Sequence, residues 1–203
     1  MTDVRVTSRR MLAGLEPQRF DGGDQGDHGE RRAAAVMLLL YEQDGREHIL
    51  FQQRTDEVEH HKGEISLPGG RRDHGDGSLI ETALRETDEE IGVVRDHIEV
   101  FGSLDEIATR SSNYVIAPFA GAITAGGDYP FRMARREVKE LLVVPLDTLR
   151  GEANVQWVVR EEGGDAAAER EFMYGEHCIW GATARIVGQY LDLLTTATGG
   201  SSS

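Results

Sequence analysis

The sequence predicts a mixed α/β protein, in which strands lie on either side of one charged helix and a second helix closes the chain. Three observations predict this class. Short apolar stretches bounded by glycine and polar residues recur along the chain, as is typical of strands. Residues 78–91 and 182–194 instead place their apolar residues at helical spacing. At 203 residues the chain is long enough to bury the core of one domain.

The first elements precede the charged helix. A short helix is expected near residues 8–15. Residues 21–30, DGGDQGDHGE, are expected to form an acidic, glycine-rich linker because they contain almost nothing to bury. The apolar residues of 33–41 and 48–53 predict two strands around a turn at residues 43–45.

The elements after the charged helix are mostly strands. They are expected at residues 97–103, 114–124, 141–144, 155–159 and 171–174, the last two pairing across a loop at 161–169. The closing helix is expected at residues 182–194. We therefore divide the chain into an N-terminal segment with its linker at 1–30, one domain at 31–195 and a flexible tail at 196–203.

The composition is strongly acidic. The net charge is −14, from 36 acidic and 22 basic residues, and Lys62 and Lys139 are the only lysines. Two explanations remain open, a cytoplasm rich in salt and a GC-rich genome that favours arginine codons. Either way, this surface would repel a polyanion such as DNA, so no nucleic-acid partner is expected. An anionic small substrate needs local cations or a metal ion.

The location of the protein is expected to be cytoplasmic. The longest apolar run, residues 33–41, is too short to cross a bilayer, so no membrane partner is expected. No apolar stretch follows the N-terminal arginines, so no signal peptide is expected. Cys178 is the single cysteine, which excludes an intrachain disulfide and is typical of a reducing compartment. The sequence does not decide between a monomer and a homodimer.

The charged helix at residues 78–91 has clear ends and two faces. Ser78 can cap its N-terminus, with Glu81 three residues later as in a capping box, and Gly92 can end it. At about 100° per residue the side chains divide into two groups. The expected apolar face carries Ile80, Ala83, Leu84, Thr87 and Ile91, and the opposite face carries Arg85, Glu86, Glu89 and Glu90.

The acidic face of this helix has two interpretations. Arg85 can pair with Glu81 and Glu89, each pair contributing ~0.2–0.5 kcal/mol, as on an ordinary solvated face. Glu86 and Glu90, however, are like charges four residues apart, which costs a similar amount. With Glu89 between them, three carboxylates on one face predict a site for a hard divalent cation. The preceding turn at residues 68–70 lets the backbone approach a ligand closely.

From Gly70 onward the sequence resembles the Nudix box, usually written G-x5-E-x7-R-E-U-x-E-E-x-G-U, where U is apolar. Residues 85–93 match its second half, with Thr87 at an apolar position. In the first half Asp76 replaces the glutamate, and one extra residue separates it from Arg85. That insertion, with SLPGG before it, resembles the coenzyme A pyrophosphatase branch of the family.

The segment before the box resembles the same branch, whose pattern is close to L-L-T-x-R-[SA]-x3-R-x3-G-x3-F-P-G-G. This chain has Arg54, Thr55 and Gly63 at the matching positions. Leu67 replaces the phenylalanine, and Glu59 stands where the second arginine is expected. Residues 179–185, IWGATAR, are similar to the start of the branch's last helix. The resemblance covers residues 32–194.

The resemblance implies an α/β/α sandwich of the Nudix type around a mixed sheet. It also implies a small nucleotide-type substrate whose diphosphate is cleaved by water with Mg²⁺ or Mn²⁺. The first substrate it suggests is coenzyme A or its thioesters, giving 3′,5′-ADP and 4′-phosphopantetheine. The alternatives are another nucleoside diphosphate linked to a group, such as ADP-ribose or NADH, and a nucleotide-binding module that does not hydrolyse. All three box glutamates are present, which disfavours the module.

Roles for individual residues follow from the resemblance. The expected metal ligands are Glu86 and Glu90, with Glu89 as third ligand or acid–base partner and the Gly69 carbonyl as a further ligand. Arg85 is expected to orient the carboxylates. Other expected contacts are Arg54 and Gly70 for substrate, and Glu137, before an apolar strand, as a base.

The remaining polar candidates have ordinary explanations as well as functional ones. His60 and His61 lie in the loop before the box, where histidines usually face solvent. Trp180 and Arg185 are interpreted as packing and helix-surface residues. Cys178 has no partner in the sequence for nucleophilic catalysis.

Overall fold

A computed structural model describes residues 3–13, 15, 31–55, 63–109, 113–125, 127–162 and 165–199. Within these residues the helices are α1 Val4–Ala13, α2 Leu79–Ile91, α3 Leu146–Arg150 and α4 Gly181–Gly199. The strands are β1 Arg32–Gln43, β2 Arg46–Arg54, β3 Ile65–Ser66, β4 Gly69–Arg71, β5 Ile98–Ser103, β6 Ile107–Ala108, β7 Tyr114–Ile123, β8 Val138–Pro145, β9 Val155–Glu162, β10 Asp165–Tyr174 and β11 His177–Ile179.

The main sheet is mixed and is organised around β1. This strand pairs parallel with β7 and antiparallel with β2 and β4. Its apolar run from Met37 to Tyr41 is buried throughout, as expected for a strand covered on both faces. The hairpin to β2 turns at Asp44 and Gly45, both at positive φ, which is the conformation that a two-residue hairpin requires. The predicted first hairpin is therefore confirmed.

The two faces of the sheet bury separate cores. Alternate β1 residues point to opposite faces, so Leu38 and Leu40 pack with α4, and Met37 and Leu39 pack with α2. The second sheet, β11-β10-β9, contributes Phe172 to the core on the α4 side. The arrangement is an α/β/α sandwich around a mixed sheet, which confirms the predicted fold.

The ends of the chain differ from the expected boundaries. α1 begins at Val4 rather than near residue 8, and its Leu12 is buried in the core beside α4. α4 continues past residue 194 to Gly199, so residues 196–199, expected in the tail, are helical. Residues 21–30 and 200–203 lie outside the described residues. None of the described helices is both long and apolar enough to cross a membrane.

The last hairpin is longer than expected. β9 and β10 pair from Val155↔Phe172 to Glu162↔Asp165, so most of the predicted loop at residues 161–169 is strand. The prediction was wrong because this stretch is rich in charge and alanine, which hides the strand pattern. Its strand character comes instead from cross-strand pairing and from ion pairs of Arg160 with Glu169 and Glu171. The short strands β3, β4, β6 and β11 were also not expected, since two or three residues show no alternation.

Candidate active site

The ends of α2 are fixed by the residues that the sequence indicated. Ser78 is extended, and its Oγ accepts a hydrogen bond from the Glu81 N–H at 3.4 Å. The Glu81 carboxylate accepts from the Gly77 N–H at 2.8 Å, one residue before the donor of a standard capping box. Gly92, at φ 71°, ends the helix and donates its N–H to the Asp88 carbonyl.

The two faces of α2 divide as predicted except at one residue. Ala83, Thr87 and Ile91 are fully buried against the sheet. Glu90, which helical spacing places opposite the apolar face, is only 2% exposed. It lies at the border between the faces, and β4 covers it: the Gly69 N–H donates to Glu90 Oε2 at 2.8 Å. The helical wheel could not show this burial because it does not include β4.

Glu90 therefore has an unusual setting for a carboxylate. Arg54 Nη1 lies 3.7 Å from its Oε1, and the buried Gln52 amide lies beside it. Burial raises the pKa of Glu90 from 4.5 to about 7, against the lowering effect of the Gly69 hydrogen bond. Neither amide atom of Gln52 has a hydrogen bond of good geometry to another described residue. Sequence analysis missed Gln52, whose signal was a polar residue next to the buried Phe51 of β2.

Arg85 connects the loop before α2 to two carboxylates of the helix. Its Nε and Nη2 donate to both oxygens of Asp76 at 2.9 and 3.0 Å. Its Nη1 donates to Glu86 Oε1 and Glu89 Oε2, both at 2.9 Å. The Arg85 guanidinium holds the pKa of Asp76 well below its usual range. Asp76, the shorter residue at the box's glutamate position, thus reaches Arg85 despite the extra residue between them.

The two glycines before this loop bring backbone against the helix carboxylates. Gly69 adopts φ 150°, and a Cβ atom there would lie 2.3 Å from the Ala35 carbonyl oxygen. A Cβ at Gly70 would lie 2.6 Å from the Glu86 carboxylate. Only glycine permits this approach, so Glu86 faces bare backbone.

The box carboxylates influence one another electrostatically, but they do not form a cluster of metal ligands. Burial raises the pKa of Glu86, Arg85 opposes the rise, and the charges of Glu89 and Glu137 add to it. Among the described residues no three His, Cys, Asp or Glu side chains stand close enough together to hold a metal ion. The expected convergence of three carboxylates is therefore absent. Arg85 draws Glu86 and Glu89 to itself, and β4 holds Glu90.

The chemistry of this site nevertheless suits a hard divalent cation. The available donors are carboxylate oxygens of Glu86 and Glu90, beside the glycine backbone at residues 69–70, and such oxygens are what Mg²⁺ takes. Because Gly70 has no Cβ, the Glu86 carboxylate lies directly against the backbone there. Glu89 is largely exposed, with 60% of its side chain accessible, and one of its oxygens is bound by Arg85.

Residues 132–137, between β7 and β8, bring Glu137 to the C-terminal end of α2, where Glu90 lies. The Ala134 N–H donates to the Glu90 carbonyl at 2.8 Å. Thr55, after the end of β2, donates its hydroxyl to the Arg136 carbonyl at 2.7 Å and its N–H to the Glu137 carbonyl at 2.9 Å. Glu137 is exposed and close enough to raise the pKa of Glu86.

The other predicted candidates lie elsewhere or outside the described residues. Glu59, His60 and His61 belong to the undescribed segment 56–62. Trp180 lies under the Arg160 guanidinium, which is 5.2 Å from the Trp180 ring centroid, and Arg185 of α4 donates to the Ala108 carbonyl of β6. Burial raises the pKa of the Cys178 thiol, which makes it a poor nucleophile.

Comparison with known proteins identifies the family. The NUDIX domain model matches residues 30–163. Nudix hydrolase 3 of Caenorhabditis elegans is 29% identical over 182 residues, covering 83% of this chain and 75% of that protein. The uncharacterized Nudix hydrolase NudL of Yersinia enterocolitica is 32% identical over 139 residues, covering 68% and 70%.

A solved structure shares the fold. The crystal structure of a MutT/nudix family protein from Enterococcus faecalis aligns with a TM-score of 0.57 at 18% identity, over 87% of this chain and 71% of that one. At this identity the likeness shows the fold alone. Together with the family match and the curated relatives, it leads to one conclusion. This chain belongs to the Nudix family and is a hydrolase that acts on nucleoside diphosphate derivatives.

Proposed function

We propose that this chain hydrolyses the diphosphate of coenzyme A or its thioesters, releasing 3′,5′-ADP and 4′-phosphopantetheine, with Mg²⁺ or Mn²⁺. The observation that carries the hydrolytic chemistry is the contact of Glu86 and Glu90 with the backbone of Gly69 and Gly70. The choice of coenzyme A rests on the sequence, namely the pattern from Leu50 to Gly70 and the extra residue before Arg85.

In this proposal the carboxylates hold the cation. Glu86 and Glu90 are the main ligands, joined by Glu89 and the Gly69 carbonyl. The cation, when bound, lowers the pKa of a water molecule and neutralises charge developing on the phosphoryl oxygens. Arg85 keeps Glu86 and Glu89 oriented through its charge-assisted hydrogen bonds.

The remaining roles concern the substrate and the proton. Gly70 carries no side chain of its own, so the diphosphate approaches its backbone beside the Glu86 carboxylate. Arg54 is partly exposed beside Glu90 and attracts the diphosphate into a protein whose net charge is −14. Glu137, exposed near Glu86, accepts the proton of the attacking water.

A second candidate is another nucleoside diphosphate linked to a group, such as ADP-ribose or NADH. The observation that favours it is Glu59, which is acidic where the coenzyme A pattern has an arginine. A binding module without hydrolysis is disfavoured because Glu86, Glu89 and Glu90 are all retained.

The test is product analysis with coenzyme A and ADP-ribose, each with Mg²⁺ or Mn²⁺, at low and high salt. The Glu90→Gln variant is expected to lose about 100-fold or more in kcat/KM, because a buried ligand becomes neutral. Asp88→Asn is the matched control, since Asp88 is an exposed acid on the same helix. Faster cleavage of ADP-ribose than of coenzyme A would exclude the coenzyme A assignment. Full activity in Glu90→Gln would exclude the proposed ligand set.

A further inference from the structure

We propose that the substrate carries a phosphate monoester on its nucleoside half, besides its diphosphate. Arg132, Arg135 and Arg136 bind this monoester. We call residues 132–136 the arginine segment. This inference rests on the proposed function, in which the monoester is the 3′-phosphate of coenzyme A. It names the residues that distinguish such a substrate from ADP-ribose, which has no monoester.

The first observation is that the arginine segment is positively charged, whereas the chain as a whole is negatively charged. The net charge of the chain is −14. The arginine segment and the three residues after it, 132–139, contain four of the 22 basic residues and one acid, Glu137, which gives +3 for these eight residues. Arg132, Arg135 and Arg136 are all exposed. None of the three forms an ion pair or side-chain hydrogen bond with another described residue.

The second observation is that the backbone of the arginine segment is fixed while its side chains are free. The Arg132 N–H donates to the Ile91 carbonyl at 3.0 Å, and the Ala134 N–H donates to the Glu90 carbonyl at 2.8 Å. At the other end Thr55 binds the Arg136 carbonyl at 2.7 Å. A Cβ on Gly92 would lie 2.8 Å from Arg132 Cβ, so glycine at the helix end permits this close packing.

The third observation is the position relative to the diphosphate site. The segment is bound to the main chain of Glu90, whose side chain faces Gly69 on β4. Arg54, on β2, already lies at the carboxylates. The arginine segment is therefore anchored to the helix that carries the proposed metal ligands. In this proposal its arginines take the monoester of a nucleotide whose diphosphate lies at those ligands.

The chemistry of the guanidinium fits a phosphate monoester. A monoester carries about −1.5 to −2 charges at pH 7 and three acceptor oxygens. Arginine presents parallel N–H donors that bind two such oxygens at once, which lysine does not. Several exposed arginines on one fixed segment therefore suit a dianion in charge and in donor geometry.

A structural role for these arginines is the competing explanation. The last turn of α2 contains no basic residue, so nearby cations could offset the negative end of the helix dipole. That role would require the arginines for stability but not for choice of substrate. The two explanations therefore differ in a measurable way.

The experiment compares ligands that differ by one phosphate. Binding of 3′,5′-ADP, 2′,5′-ADP and 5′-AMP to the metal-free protein is measured by titration calorimetry. The wild type is expected to bind 3′,5′-ADP about 10-fold or more tightly than 5′-AMP, as for charge-assisted hydrogen bonds. The double variant Arg135→Gln/Arg136→Gln is expected to lose that preference. Its matched control, Arg95→Gln/Arg150→Gln, removes the same charge from exposed arginines elsewhere and is expected to keep it.

Kinetics and stability complete the test. In the arginine-segment variant, KM for coenzyme A is expected to rise about 10-fold with kcat little changed, while KM for dephospho-coenzyme A stays the same. An unchanged preference for 3′,5′-ADP in that variant, or an equal loss for 3′,5′-ADP and 5′-AMP, would overturn the proposal. So would a lower Tm with the preference intact, since that indicates the helix-end role.

The binding measurement separates this inference from the proposed function. A preference for 3′,5′-ADP that depends on the arginines supports the receptor even if coenzyme A is not cleaved. A preference for 2′,5′-ADP would retain the receptor for a monoester and exclude coenzyme A as the substrate. Cleavage of coenzyme A without any preference among the three ligands would retain the proposed function and exclude the receptor.

Discussion

At the scale of single residues, Glu90 is the buried carboxylate of the candidate site. A carboxylate that is 2% exposed and has a pKa of about 7 is costly to keep in a folded protein. Gly69 and Arg54 offset part of that cost through one hydrogen bond and one ion pair. Perturbed groups of this kind concentrate at functional sites, which agrees with the role we propose for Glu90.

Gly70 gives the sharpest prediction at this scale. In Gly70→Ala the new Cβ would lie 2.6 Å from the Glu86 carboxylate and would push it away. We expect kcat/KM to fall about 100-fold with nucleotide substrates, as for a displaced group in a catalytic site, while the fold is retained. Steady-state kinetics and circular dichroism measure the two effects.

The control for this prediction lies in the same loop. A Cβ at Gly75 would meet nothing within 4 Å, so Gly75→Ala is expected to keep normal activity. If both alanine variants were equally active, the Gly70–Glu86 contact would have no part in catalysis.

At the scale of elements, the loop before α2 is tied to the helix by one ion pair. Asp76 is 6% exposed and receives two hydrogen bonds from Arg85 and one from the Thr82 hydroxyl. This contact closes the loop that begins at Gly70 and thereby sets the distance between β4 and α2. It also orients Arg85 toward Glu86 and Glu89.

We predict that Asp76→Asn lowers the free energy of unfolding by roughly 1–3 kcal/mol. Arg85 would lose its anionic partner in a partly buried site, and the Asn amide can accept only one of the two hydrogen bonds. Urea denaturation at pH 7 measures the change. Asp73→Asn is the control, because Asp73 is exposed in the same loop. Equal stability of the Asp76 and Asp73 variants would contradict the prediction.

The same pair sets an expected pH dependence. The folded pKa of Asp76 is below its ordinary value of 3.8, so the stabilisation is fully present above about pH 4. It is lost as the pH falls below that value, because the unfolded chain then takes up a proton more readily than the folded one. The stability difference between wild type and Asp76→Asn should therefore narrow from pH 7 to pH 3. A difference that stays constant over this range would rule out the ion pair as its source.

At the scale of the whole molecule, the first and last helices pack together. α1 contributes Leu12 to the core, and Ser8 forms a buried 2.7 Å hydrogen bond with Tyr190 of α4, 182 residues away. Burial raises the pKa of Tyr190 to about 12, so its hydroxyl stays protonated at physiological pH. The N-terminal helix is therefore packed onto the same sandwich.

We predict that Tyr190→Phe lowers the free energy of unfolding by about 1 kcal/mol, the value of one buried hydrogen bond. The cost is limited because the Ser8 hydroxyl keeps its bond to the Val4 carbonyl. Chemical denaturation measures it, with Tyr174→Phe as control, since no hydrogen bond joins the Tyr174 hydroxyl to another described residue. A double variant with Ser8→Ala should cost less than the sum of the single changes. Strict additivity would show that the two hydroxyls do not interact.

The sequence by itself determined the features that depend on neighbouring residues. Ser78 and Gly92 mark the ends of α2, and Asp44 and Gly45 mark the first hairpin, because caps and tight turns are set by a few consecutive residues. The box glutamates indicated the family for the same reason, since their spacing is written along one helix. The resemblance also supplied the α/β/α sandwich, which spacing alone did not.

Only the tertiary structure decided which polar groups meet. The burial of Glu90 depends on β4, and the position of Asp76 depends on Arg85. The arginine segment contacts α2 through the hydrogen bond from the Ala134 N–H to the Glu90 carbonyl, which joins residues 44 positions apart. These contacts join segments whose separation in sequence carries no periodic signal. A hydrogen bond or a desolvated charge is fixed by which segments pack together in space, and that packing is a property of the folded chain as a whole.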